Sequence, residues 1–122
     1  MCDISQHDFA AARRLGDAQV IDVREVEEFI SGHVPGAASI PMGQLMTRLG
    51  EVDRFRPVYL ICATGRRSAV VTDMLTRQGF LAQSVSGGTR AWLAAGRAVD
   101  RGPAQPSQRD AGELASQQRA MP

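Results

Sequence analysis

The sequence predicts an α/β fold, a mostly parallel sheet covered by helices on both faces, and three observations carry that expectation. Two runs, the short apolar AQVIDV (Ala18 to Val23) and the continuous VYLI (Val58 to Ile61), have the length and the aliphatic, β-branched make-up of buried strands. Around them lie segments with helical spacing that end at glycine. Hydrophobic residues form 43% of the chain, yet only four Phe, one Tyr and one Trp are present, so the core must rest on Val, Ile, Leu, Ala and Met. Strands separated by helices imply right-handed crossovers, and therefore parallel pairing.

The elements follow in order. Ser5 with Asp8 resembles a capping box, and it introduces an apolar helix through Phe9, Ala10, Ala11, Ala12 and Leu15, ending at Gly16. The run Ala18 to Val23 is a strand that stops abruptly in charge at Asp22 and Arg24, and active sites of α/β proteins gather at such strand ends. EVEEFIS (Glu25 to Ser31) is a short helix, acidic in its first turn as the macrodipole prefers, with Gly32 placed to end it in a left-handed conformation. After a turn at HVPGA, Ala38 to Ile40 forms a brief strand stopped by Pro41. Leu45, Met46 and Leu49 stripe a following helix that Gly50 closes. The run Val58 to Ile61 leads into CATGRRS (Cys62 to Ser68), and Val70, Val71, Met74 and Leu75 mark a helix ending at Gly79. Ala82 to Val85 is a last strand, and Gly87 and Gly88 turn the chain into a helix holding Trp92 and Leu93.

At 122 residues the chain has room for one domain, placed at residues 1–101. From residue 102 to 122 the composition shifts to Gln, Pro, Ser and Ala without an aromatic residue, which reads as a flexible tail with a weak helical pattern over Ala111 to Arg119. A formal charge of +1 gives no field that would mark a nucleic-acid or membrane surface. No window approaches the ~18 apolar residues of a membrane span, and the first residues lack the apolar core of a secretory signal. A soluble, cytoplasmic protein is expected. Cys2 and Cys62 read as free thiols and not as a disulfide framework. With His7 and His33 they show no metal-ligand spacing, so neither metal nor cofactor is expected.

The segment Cys62 to Ser68 carries the chemistry. A cysteine at the C-terminal end of a buried strand, before a glycine-containing loop that opens a helix, sits where backbone N–H groups converge on an anion. Such a nest favours a thiolate over a thiol, and Arg66 and Arg67 add positive charge. Gly65 lets the backbone curl without a Cβ clash. An ionised sulfur needs no separate general base, and covalent catalysis is its natural use. The plain alternative is a small buried cysteine acting as a compact hydrophobe.

Four segments together resemble the rhodanese family: IDVREVEEF (Ile21 to Phe29), GHVPGAASIP (Gly32 to Pro41), CATGRRS (Cys62 to Ser68) and SGGTRAW (Ser86 to Trp92). They occur in the family's order and approximate spacing, across roughly residues 3 to 100. The resemblance implies a three-layer α/β/α domain with a five-stranded sheet and a persulfide-forming cysteine, here Cys62. Its thiolate would take the outer sulfur of a donor such as thiosulfate, expel sulfite, and pass the sulfur to cyanide, a thiol or a protein cysteine. The amides of Ala63, Thr64, Gly65, Arg66, Arg67 and Ser68 would cradle donor and persulfide. Arg67 matches the family's loop-closing arginine, with Asp22 or a glutamate of residues 25–28 as its partner. The family often has an arginine directly after the cysteine; Ala63 stands there in this chain.

Other residues have plainer readings. Asp22 and Arg24 suit a structural ion pair that supports the loop better than a catalytic role. His33 serves a hydrogen-bonded chain reversal as readily as acid–base work. Trp92 reads as a packing anchor, and Cys2 as an incidental thiol. Two other functions fit the fold. A phosphatase or arsenate reductase would place one more residue between the cysteine and the closing arginine than the four found between Cys62 and Arg67. A non-catalytic binding module commonly lacks the cysteine or the loop, whereas Cys62, Gly65 and Arg67 are all present.

Overall fold

The structure, a computed structural model, describes residues 2–103. Five strands, β1 (Asp3–Ile4), β2 (Gln19–Asp22), β3 (Ala38–Ser39), β4 (Val58–Ile61) and β5 (Ala82–Val85), pair in the order β1-β5-β4-β2-β3. Every pairing is parallel. The helices are α1 (Gln6–Arg13), α2 (Val26–Ser31), α3 (Met42–Leu45), α4 (Arg66–Arg77) and α5 (Gly88–Ala94), with a 3₁₀ turn at Leu49–Glu51.

Alternation along the strands divides the interior into two clusters, which makes the protein three-layered. Val58, Leu60 and Cys62 join Ile21, Ile40, Leu45, Val71 and Leu75, so α3 and α4 cover that face. Tyr59 and Ile61 point the other way, into Phe9, Phe29, Val85 and Trp92 of α1, α2, β5 and α5. Phe9 is fully buried, an area worth about 2–3 kcal/mol, and it meets Tyr59 and Trp92 edge-on at 5.8 and 5.6 Å. Trp92 is an anchor, as expected: it is buried, its Nε1 donates to the Ala98 carbonyl at 2.8 Å, and Arg97 lies over its ring.

Several local expectations change. The two-residue edge strand β1 has no apolar pattern of its own; it is defined by the ladder with β5, where the amides of Ser84 and Ser86 donate to the Cys2 and Ile4 carbonyls at 2.7 and 2.9 Å. Helix α1 is capped by Ser5, whose Oγ accepts from the Asp8 amide, but it ends at Arg13 and leaves Leu15 81% exposed, outside the expected stripe. Gly32 stops α2 in a near-extended conformation (φ 157°, ψ 131°), not a left-handed one, because the chain runs straight on into the bridge between His33 and Asp100. The helix expected through Leu49 is a single turn followed by the separate 3₁₀ turn that contains Gly50; Leu45 and Leu49 reach the same core without continuous helix. In α4 the buried face is Ser68, Val71, Thr72 and Leu75, while Val70 is exposed. The expected tail lies outside the described residues but for 102 and 103, as does the helical pattern over residues 111–119. No helix among the described residues is long and apolar enough to cross a membrane.

Strand order fixes where a site can form. From β2 the chain leaves through α2 on one face, whereas from the adjacent β4 it leaves through α4 on the other. Their C-terminal ends therefore border a topological switch point, the usual ligand crevice of an open α/β sheet. Asp22 pairs with Ile61 across this junction, and Cys62 is the next residue.

Candidate functional site

Cys62 continues β4 by one residue and points to the α4 face, where it is 1% exposed. The chain then curls so that its own amides face the sulfur. Gly65 has φ +104°, which L residues adopt only with strain, and it stands as the residue before α4. The Gly65 amide donates to Cys62 Sγ at 3.0 Å and the Ser68 amide at 3.4 Å, with Ser68 Oγ 3.5 Å from the sulfur. The amides of Arg66 and Arg67 begin α4 and have no acceptor within the helix, so the loop adds a helix N-terminus to this nest.

Electrostatics at the sulfur follow from that geometry. Burial pushes the Cys62 thiol up, but hydrogen bonds from the Ser68 hydroxyl and from the amides of Ser68, Gly65 and Thr64 outweigh it. The thiol ends below its ordinary range. A buried sulfur that faces converging amide donors favours the thiolate, and it fits the compact-hydrophobe reading poorly.

The loop is held from three sides. On one side the amides of Thr89 and Arg90, at the start of α5, donate to the carbonyls of Cys62 and Ala63 at 2.8 and 3.0 Å. That approach requires glycine at 88, since a Cβ there would collide with both of those carbonyls. Gly88 thus does more than turn the chain. On a second side Arg67 makes a bidentate pair with Glu28 of α2, at 2.8 and 2.9 Å. The Arg67 hydrogen bonds hold the Glu28 carboxyl down to about 2, against the opposing effect of burial. The same Glu28 accepts the Glu25 amide at 3.0 Å, so the partner of the closing arginine also caps α2.

The third support is the end of β2. Arg24 grips Asp22 through Nε and Nη2 at 2.7–3.1 Å, both side chains being buried, and Arg24 Nη2 also donates to the Gly32 carbonyl at 2.7 Å. Asp22 is thereby occupied, which leaves Glu28 as the partner of Arg67. Beside this pair the Val23 amide donates to the Ile61 carbonyl at 2.9 Å, tying β2 to the residue before Cys62.

The remaining candidates separate cleanly. Ala63 is half-buried, Thr64 is exposed with its amide toward the sulfur, and Arg66 is exposed with no ion pair to a described residue. His33 is stacked on Phe29 at 3.7 Å and its Nδ1 meets the Phe29 carbonyl at 2.8 Å, an arrangement of structure. Cys2 is an exposed free thiol. Sequence reasoning missed Ser84, a buried serine of β5 whose Oγ lies 2.7 Å from Ser68 Oγ. Its only signal was a small polar residue between Gln83 and Val85 in a short strand. Among the described residues no group of three or more His, Cys, Asp and Glu gathers to hold a metal.

With this geometry in place, the chain can be compared with known proteins. The family described as Rhodanese-like domain matches residues 5–95. From Bacillus subtilis (strain 168), the protein named "Putative sulfur carrier protein YrkF" is 39% identical over 61 residues, which are 50% of this chain and 33% of that protein. The match thus spans only about a third of that relative. "Putative sulfurtransferase YtwF" of the same organism is 40% identical over 73 residues, 60% of this chain and 71% of that protein. Among solved structures, a rhodanese-related protein from Thermoplasma volcanium superposes with a TM-score of 0.75 at 29% identity, covering 82% of this chain and 98% of the other.

Proposed function

This chain belongs to the rhodanese-like domain family, and on that premise we propose that it transfers sulfane sulfur through a persulfide on Cys62. The observation that carries the reading is the arrangement at Cys62 Sγ: the Gly65 and Ser68 amides donate to it and the Ser68 hydroxyl lies 3.5 Å away, in a buried site that lowers the thiol. The names of the similar Bacillus proteins, "Putative sulfur carrier protein YrkF" and "Putative sulfurtransferase YtwF", point the same way.

With thiosulfate as donor, the Cys62 thiolate attacks the outer sulfur. A Cys62–sulfur bond forms, the sulfur–sulfur bond of thiosulfate breaks, and its electron pair leaves on sulfite. The charge on the Cys62 persulfide then falls where the loop's amides converge, as developing charge does in an oxyanion hole. An acceptor, cyanide or a thiolate on a small molecule or protein, attacks the outer sulfur and releases the Cys62 thiolate as leaving group. Oxidation states balance over the cycle, so neither metal nor cofactor enters it. Arg67 closes the loop through Glu28, Asp22 and Arg24 fix the strand end, and Arg66 supplies the exposed charge that draws an anionic donor.

Intact mass after incubation with thiosulfate tests the proposal in protein carrying Cys2→Ser, so that Cys62 is the sole thiol. The expected result is a gain of one sulfur atom, removed by cyanide with release of thiocyanate and absent in Cys62→Ser. No adduct and no turnover with thiosulfate or another sulfane donor would sink the reading and leave a binding module in its place.

A further inference from the structure

The buried hydroxyls behind Cys62 form a chain with a direction. Ser68 Oγ has one proton and three neighbours: Ser84 Oγ at 2.7 Å, the Gly65 carbonyl at 3.3 Å and Cys62 Sγ at 3.5 Å. Ser84 is 2% exposed and belongs to β5, and among the described residues its hydroxyl meets only Ser68. A serine hydroxyl is one donor and an acceptor of two bonds. If Ser68 gave its proton to Ser84, the proton of Ser84 would be buried without an acceptor, at the full desolvation cost of an unmade bond.

We propose that Ser84 is a positioning residue for Cys62: it donates to Ser68 Oγ and so leaves the single Ser68 proton free for the sulfur. In the thiol state that proton rests on the Gly65 carbonyl, and Cys62 Sγ–H can itself donate to Ser68. On ionisation the sulfur becomes an acceptor only, and the Ser68 hydroxyl turns to it with Ser84 polarising the bond from behind. Chains of this kind strengthen link by link in a low-dielectric interior. The role goes beyond the sulfur-transfer reading, but its use in catalysis rests on that reading.

Charged groups facing this region are Arg66 and Arg67 at the head of α4, Asp22 at the end of β2 with Arg24 just after it, Glu28 on α2, Arg90 on α5, and Asp3 beside Ser84 in register on β1. Asp22 with Arg24 and Glu28 with Arg67 answer each other, and a change at Ser84 leaves the full set in place.

The experiment is a pH titration of the ultraviolet thiolate absorbance in the Cys2→Ser protein, comparing Ser84 with Ser84→Ala, Ser84→Thr and Ser68→Ala. The thiolate-to-thiol ratio at a given pH is expected to fall about two- to tenfold in Ser84→Ala, the scale of one net hydrogen bond. Threonine, which keeps the hydroxyl, restores it. In the Ser68→Ala background, Ser84→Ala has no further effect. An unchanged midpoint, or a shift of full size without Ser68, overturns the proposal. Should Ser84→Ala fail to fold, Ser84→Val and Ser84→Thr in the two Ser68 backgrounds give the same comparison. Because the titration needs no sulfur donor, a protein that titrates as expected yet takes up no sulfur would count against the proposed function and not against Ser84.

Discussion

Two bidentate arginine–carboxylate pairs brace the Cys62 loop, and they differ in burial and in span. Asp22–Arg24 joins neighbours two residues apart, with side chains 0% and 7% exposed; Glu28–Arg67 joins residues 39 apart, each 37% exposed. The first is a local lock on the end of β2, whose removal strands a charge in the interior. The second is a latch between α2 and α4, screened by water. Burial sets what each is worth to folding, whereas span sets what each does for the loop. The pair that matters more to stability should matter less directly to chemistry.

Breaking the buried pair should have the largest effect. Asp22→Ala leaves the Arg24 guanidinium buried with the Gly32 carbonyl as its remaining acceptor, and it is expected to cost about 3–5 kcal/mol in denaturant unfolding. Replacing both partners, as in Asp22→Leu with Arg24→Met, should return most of that loss, because the uncompensated charge goes with its partner. A single-variant loss under about 1 kcal/mol, the value of an exposed pair, would erase the distinction between lock and latch.

The exposed pair should invert the pattern. Glu28→Gln keeps a side chain that can still accept the Glu25 amide as a cap, but it gives up the ionic grip on Arg67. Unfolding free energy should drop by no more than about 1 kcal/mol. Sulfur uptake at Cys62 should slow by about tenfold, since loosening the head of α4 misplaces the amides that face the sulfur. Arg67→Lys, which retains charge without the fork, should behave likewise. Stopped-flow sulfite release beside a denaturation curve separates the two quantities; proportionate losses in both would show that the latch is merely part of the fold.

The same contrast explains what was legible in the sequence. Strand β4 announced itself because burial on both faces demands an unbroken apolar run, β2 because Val20, Ile21 and Val23 lie around the charge at its end, and the CATGRRS loop was readable because Gly65 and the strand end leave few geometries for Cys62. Edge strand β1 was not, since two residues carry no period and its pairing comes from the ladder with β5. The exposure of Leu15 depends on where α1 stops, which a single apolar side chain does not report. At the site, Asp22 and the glutamates of residues 25–28 were equal candidates for Arg67 until tertiary structure gave Asp22 to Arg24. Ser84 escaped notice because a buried serine in a strand looks like small filler; only the 2.7 Å contact with Ser68 gives it a role.

The smallest effect is also the one that isolates the latch by pH. Arg67 holds the Glu28 carboxyl down to about 2, below the ~4.3 of a free glutamate. A depressed carboxyl contributes stability that is complete above the unfolded value and disappears as pH falls through the folded one. The difference in unfolding free energy between wild type and Glu28→Gln should therefore be constant above about pH 5, shrink below about pH 4.3, and vanish near the folded value. Partial exposure keeps the whole change small, because solvent screens the pair. High salt should flatten the same curve at every pH above the transition. A difference that persists undiminished to pH ~2 would mean that Glu28 supports the loop by shape and capping rather than by charge.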